Sequence, residues 1–354
     1  ATAADLPERI AGSEGVSTSS DGQLLAVAGD DGRLRLWTLD ADRGATGTIG
    51  LYGGVVRPDD LAFTPDGARV VVVSGTTGAL HLFDASSGAP LGAFPVPSAR
   101  QLLGFTGADH AVVSTADGLV RVDLAAGTTT TTETTPFVSA ALVGPEEAVL
   151  VDAKGQGTRL RLTDAQPAGR LAGTWGWASA GRPGTVILHD RAAGQAVALD
   201  VGSMGLRELG DARNATAHAV SGDGGRLALG GATGKVHVVD AQTGEALDHH
   251  DLGAEIVAIG LSADGALLAA ATTRQDVTLI AVGRREPVAV LHGHRDRVDH
   301  LAFDPEGRLL LTASRDGDVR AWDLGTARIP GSELVTHAEE AFGHRLEAGR
   351  IIPR

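Results

Sequence analysis

Short, almost wholly apolar runs recur along this chain, each preceded by a turn rich in Asp, Gly, Ser and Thr and followed by a stretch in which apolar and polar residues alternate. The best-formed example lies near the C-terminal end. There Leu301-Ala302-Phe303 runs into Asp304-Pro305-Glu306-Gly307, where the proline ring presets φ and Gly307 can take a positive φ without a Cβ clash. Residues 308–314 form the next run, apolar enough for a strand covered on both faces. Asp316-Gly317 makes a second tight turn, after which Val319-Arg320-Ala321-Trp322 alternates with the period of a strand. Ser20-Asp21-Gly22, Thr64-Pro65-Asp66-Gly67, Ser221-Gly222-Asp223-Gly224 and Ser262-Ala263-Asp264-Gly265 each stand before an apolar run elsewhere. The same hairpin is therefore written several times.

The residue closing each unit's third strand counts the units: Trp37, Phe83, Val122, Leu162, Leu199, Val239, Ile280 and Trp322, at steps of 46, 39, 40, 37, 40, 41 and 42. A step of roughly 40–45 residues with four short strands in each is the blade period of a β-propeller. The expected fold is all-β, a single propeller of eight four-stranded blades over residues 1–330. Residues 136–210 hold the two faintest units, with strands near Ala148 to Asp152, Thr158 to Leu162, Thr185 to His189 and Gln195 to Asp200. If these merged, the ring would have seven blades. The threonine run from Thr128 to Thr135 suits a wetted outer strand and is read as the fourth strand of the third blade.

Residues 291–324 resemble a complete unit of the WD-repeat family, and Trp322-Asp323 is that family's namesake dipeptide. The resemblance implies a hydrogen-bonded structural tetrad of His294, Ser314, Asp316 and Trp322. The first unit keeps only Asp31 and Trp37 of this set and the third keeps Asp117, so the chain resembles a divergent, bacterial-type member. Such a tetrad satisfies polar groups in a turn that the next blade partly buries, where an unpaired donor costs about 1–3 kcal/mol. His294, Ser314 and Asp316 are thus expected to be structural, despite their likeness to a hydrolase triad. The resemblance also implies that the chain's first strand closes the last blade. Residues 6–12 match the fourth-strand pattern of 286–293 and are assigned that role.

Beyond Trp322 the pattern changes. Pro330-Gly331 punctuates the chain, Ser332 can cap a helix, and Leu334, Ala338, Phe342 and Leu346 recur every four residues. Residues 331–354 are expected to form a short amphipathic helix and tail packed on the propeller, similar to tails in multidomain bacterial signalling proteins. The chain begins at Ala1, as a processed or excised piece would.

Composition narrows the functional classes. The absence of cysteine excludes disulfides and thiolate chemistry, and no segment approaches the roughly 20 apolar residues needed to span a bilayer. A net charge of -14 and 3% aromatic residues argue against nucleic acid or membrane insertion. Adjacent residues of a strand point to opposite faces, so His249-His250-Asp251 does not read as a chelate. Neither a metal nor a cofactor is expected, and cytoplasm is the default compartment.

The expected function is a noncatalytic scaffold or sensor module that binds another protein or a sister domain of a larger polypeptide. The alternative is an eight-bladed enzyme, either lactonase-like or similar to the quinone-dependent dehydrogenases. Asp240-Ala241-Gln242-Thr243-Gly244 and Asp84-Ala85-Ser86-Ser87-Gly88 resemble a turn of the latter. Aligning units on their turns places Arg57, Asp59, Gln101, Asn214, Thr216, Glu255, Arg297 and Asp299 around one mouth of the ring. Tyr52, Trp175, Trp177 and Arg295, of types that often anchor interfaces, are added from nearby loops.

Overall fold

Each apolar run becomes the second strand of a four-stranded antiparallel sheet, and there are eight such sheets. The computed structural model describes residues 3–5, 13–29, 31, 33–40, 44–52, 59–133, 136–163, 166–316, 318–324, 344–347 and 350–353. Blades 1 to 7 span residues 13–52, 60–95, 99–133, 137–171, 175–211, 215–251 and 256–291, and blade 8 combines 298–323 with Ala3–Asp5. The two faint units of the middle are separate sheets, which settles the count at eight. The threonine run forms the outer strand Thr128–Glu133 of blade 3, paired with Gly118–Asp123.

The second strands are apolar because both of their faces are covered. In blade 1, Leu25 and Val27 pack against Leu311, Ala313, Val319 and Ala321 of blade 8. Ala26 and Ala28, on the opposite face of the same strand, pack against Val70, Val72 and Phe83 of blade 2. The core is thus eight wedges, one at each seam between neighbouring blades. Each buried aliphatic side chain contributes about 1.5–3 kcal/mol, so packing holds the seams where the hydrogen-bonded tetrad is missing.

Along the inner strands, side chains reach a neighbouring blade's backbone. Thr18 Oγ1 donates to Phe303 O (3.4 Å), Thr216 Oγ1 donates to Ile256 O (2.8 Å), and Asp60 Oδ2 accepts from Leu102 N (3.0 Å). Ser139 Oγ accepts from Ala178 N (3.0 Å). Burial raises the Asp60 carboxyl to about 6 against the hydrogen bonds from Leu102 and Leu61.

Three sequence-based assignments are corrected. Closure comes from Ala3–Asp5, with Ala3 opposite Trp322, while residues 6–12 lie outside the described residues. In blade 4 the register sets Leu160, not Leu162, opposite Ala148, at the place Trp322 holds opposite Leu310. Leu162 is instead bonded through its N–H to Glu146 O, as Leu324 is to Arg308 O. In the tail, Leu346 belongs to the strand His344–Glu347, paired with Arg350–Pro353, rather than to a helix face. The β-branched pair Ile351-Ile352 favours that pairing. Residues 331–343 lie outside the described residues, and no helix occurs among those described.

The hairpins between third and fourth strands of blades 2, 3, 5 and 6 share one device. Asp84, Asp123, Asp200 and Asp240 each accept hydrogen bonds from the backbone two or three residues on. The residue four past the Asp is left-handed, as Gly88, Gly127 and Gly244 at φ of 65, 70 and 76°. Blade 5 places Met204 there, at φ 58°, which costs about 1 kcal/mol relative to glycine. The turn read as dehydrogenase-like is this Asx device.

Candidate interaction face

Antiparallel order puts two sets of connections at each end of the ring. The links from an outer strand to the next inner strand share one face, here the top, with the hairpins between second and third strands. The other hairpins lie at the bottom. Seven inner strands carry a register shift near their top ends. A bulge leaves one residue outside the ladder and re-aims its side chain. The residues so displaced include Arg100, Val138, Thr216, Val257 and Asp299, with Gly176 and Trp177 together in blade 5.

Several of the aligned residues do come to this mouth. Gln101, Asn214, Thr216, Glu255 and Arg295 are exposed. Asp59, also exposed, accepts at Oδ2 from Gly75 N (2.5 Å). The Thr216 hydroxyl is engaged by the next blade, as described. Asp299 sits between two guanidiniums, accepting from Arg297 Nε (2.6 Å) and from Arg315 Nε (2.5 Å). Burial works to raise its carboxyl, but the bonds from Arg315 and Arg297 outweigh it and hold the group below the usual carboxylate range. With Arg295 and Arg297 they form a charged ridge at blade 8. Arg57 lies outside the described residues. Tyr52 ends the outer strand of blade 1 opposite Leu34, on the rim rather than in a loop.

The two tryptophans of blade 5 part company. Trp175 is a core residue, 2% exposed, and is corrected as a contact candidate. Two glycines make room for its indole, since a Cβ at Gly157 would lie 2.8 Å from Trp175 Cδ1 and one at Gly173 would lie 2.7 Å from Cζ2. Trp177, on the bulge, is half-buried and stacked on His218 of blade 6, with ring centroids 3.9 Å apart and planes 6° apart. His189 is a second stacked ring, its centroid 5.8 Å from that of Trp177. Burial, and then the charge of His189, lowers His218 to about 4.

Beneath the blade 8 ridge lies the polar set that braces it. Trp322 Nε1 donates to Thr312 Oγ1 (2.9 Å), and Thr312 Oγ1 lies 2.7 Å from His294 Nε2. His294 Nδ1 is 3.4 Å from Asp316 Oδ2, an electrostatic contact without hydrogen-bond geometry, and Thr312 Oγ1, accepting from Trp322, keeps its own proton for Nε2. Burial pushes His294 below its ordinary value while Asp316 pulls upward. The hydroxyl of the set is therefore Thr312, not Ser314. Both residues face the same side of one strand, but Ser314 is a pleat nearer the loop, where it donates to Asp296 O (3.0 Å). In blade 1, Asp31 instead pairs bidentately with Arg35, at 3.0 and 2.6 Å. Val27 stands where Thr312 would, and Trp37 Nε1 is buried without a partner.

The alignment missed Arg100 and Val138, the latter 56% exposed, because a bulge adds one residue without any compositional mark. Arg315, whose place in the sequence carries no motif, belongs to the same face through its ion pair with Asp299. Among the described residues no group of three or more His, Cys, Asp or Glu is arranged to hold a metal. His249 is exposed opposite His237, whereas His250 faces Asp248 at 3.1 Å. No described helix is long and apolar enough to cross a membrane.

Comparison with known proteins follows the same lines. The family model "WD domain, G-beta repeat" matches residues 13–38 and 285–323. WD repeat-containing protein SL1-17 of Schistosoma mansoni is 35% identical over 132 residues, covering 37% of this chain and 44% of that protein. Target of rapamycin complex subunit LST8 of Saccharomyces cerevisiae is 33% identical over 86 residues, covering 24% and 27%. The matched stretches thus span less than half the length of these relatives. The solved C-terminal WD40 domain of Sif2 superposes with a TM-score of 0.75 at 17% identity, over 92% of this chain and 97% of that one. Repeated hairpins, eight radial sheets and the His-Thr-Asp-Trp set of blade 8 agree with these matches: the chain is an eight-bladed β-propeller whose first and last units match the WD-repeat model.

Proposed function

We propose that this propeller is a noncatalytic docking platform that binds another protein, or a sister domain of a larger polypeptide, through its top face. The observation that carries this reading is the blade 8 ridge. Asp299 fixes Arg297 and Arg315 in place, and the buried set beneath holds the loop that presents Arg295. Preorganised charges on a rigid scaffold bind with little loss of side-chain freedom. Bulges aim further side chains at the same mouth from neighbouring blades. The relatives lend support, one being by name a subunit of a complex. A net charge of -14 favours protein surfaces over polyanions.

The test is affinity capture with quantitative mass spectrometry, comparing the wild-type chain with Arg295→Glu and Gln101→Glu. Proteins held by the wild type should be lost with these variants and kept with a charge reversal at Arg308 on the bottom face. A partner set indifferent to the top-face changes would refute the proposal.

A further inference from the structure

The eight outer strands differ in how they finish their sheets. An outer strand leaves alternate N–H and C=O groups without a ladder partner, and such an edge pairs with other chains unless something blunts it. Five blades use a bulge. Ile49, Leu91, Ala168, Leu209 and Leu247 are extra residues in the outer strands of blades 1, 2, 4, 5 and 6, each skipped by the register against the third strand. Pro90 and Pro167 open the outer strands of blades 2 and 4, and charged residues interrupt those of blades 5 and 6. Blades 7 and 8 keep the edge short, with three paired residues each.

Blade 3 has none of these devices. Its outer strand Thr128–Glu133 pairs residue for residue with Gly118–Asp123 through six positions without a register shift. Thr128 to Thr131 are exposed, and Thr132 is buried. Five consecutive β-branched residues without charge or proline favour an extended backbone. Among the described residues this is the one long, regular outer edge.

The composition of that edge selects its occupant. Because the run is a single residue type, an antiparallel copy of it sets threonine opposite threonine, and facing threonine hydroxyls hydrogen-bond across strands. With a net charge of -14, two copies repel over much of their surfaces and meet at least cost where the edge is neutral. We propose that the protein forms a homodimer through blade 3, the two threonine strands pairing antiparallel about a two-fold axis to join a pair of four-stranded sheets into one. An edge about 20 Å long and about 10 Å deep buries less than the roughly 1,200 Å² of a lasting complex, so the dimer is weak and its population rises with concentration. Pairing at the circumference leaves both faces of the ring free, and it does not rest on the top-face reading.

The experiment is sedimentation velocity of the full chain from about 10 µM to about 1 mM, with amide hydrogen exchange at both ends of that range. The wild type should move from monomer toward dimer. Amides within residues 128–131 should exchange about threefold more slowly, or slower still, at the higher concentration, while those of the bulged outer strands should not change. Thr129→Lys and Thr131→Lys reduce the overall negative charge yet set like charges across the paired edge. Each should therefore lower the association constant by about tenfold or more, with circular dichroism unchanged, whereas Leu91→Lys on the bulged edge of blade 2 should leave it as it was. A chain that stays monomeric throughout, a dimer that protects a different segment, or one indifferent to both threonine variants would overturn the proposal.

Discussion

Replacing Thr312 by valine tests the polar set of blade 8 with almost no change of shape. The side chain is fully buried, and its hydroxyl is the shared partner of Trp322 Nε1 at 2.9 Å and His294 Nε2 at 2.7 Å. Valine would leave one buried donor and one buried acceptor unpaired, each costing about 1–3 kcal/mol. Allowing for relaxation, the expected loss is about 2–4 kcal/mol. Ser314→Ala removes a single, partly buried bond to Asp296 O and should cost about 0.5–1.5 kcal/mol. Urea unfolding followed by circular dichroism reads both. A Trp322→Phe background removes the indole N–H, and there Thr312→Val should cost about 1 kcal/mol less than in the wild type. The reasoning is refuted if Ser314→Ala costs as much as Thr312→Val, or if the two backgrounds give the same loss.

Further outcomes follow from the same structure. Val27→Thr offers Trp37 Nε1 the acceptor it lacks and should stabilise the chain by up to about 1 kcal/mol in the same assay. Met204→Gly relieves the left-handed turn and should gain about 0.5–1 kcal/mol, while a loss would show that the side chain's contact with Arg159 matters more. Asp60 and His218 should oppose each other in acid. The raised Asp60 carboxyl binds its proton more tightly when folded, so its contribution falls as pH rises from 3.8 through about 6, by about 1–3 kcal/mol. The lowered His218 resists protonation when folded, so its contribution is lost as pH falls from 6.5 through about 4. Urea midpoints measured across that window should lose the first slope in Asp60→Ala and the second in His218→Phe, and unchanged slopes would contradict the burial of either group.

Turn chemistry was the most legible feature of the chain. The Ser-x-Asp-Gly hairpins work as their composition implies, with Ser19, Thr64, Ser221 and Ser262 donating to the Asp two residues on. The apolar second strands were equally plain as runs, but burial on both faces removes the alternation that usually tells strand from core helix, so it was their short length and the turns on either side that marked them as strands. What sequence could not separate were choices one pleat apart. Ser314 and Thr312 share a face, as do Leu162 and Leu160, and only the register between second and third strands distinguishes them. The bulges were invisible, since one added residue shifts every later side chain without altering composition. Hence Gln101 was aligned where Arg100 is displaced. Trp175 was drawn toward the surface by its residue type, whereas the glycines at 157 and 173 that accommodate it were the overlooked signal.

The short strand Ala3–Asp5 has a mechanical consequence. Among the described residues, three residue pairs clasp Ala3–Asp5 to the eighth sheet and close the ring. Peeling this strand away would bare the backbone of Val319–Asp323 beside the seam that holds Trp37, so strain applied there would reach the ridge at Asp299 through the same sheet.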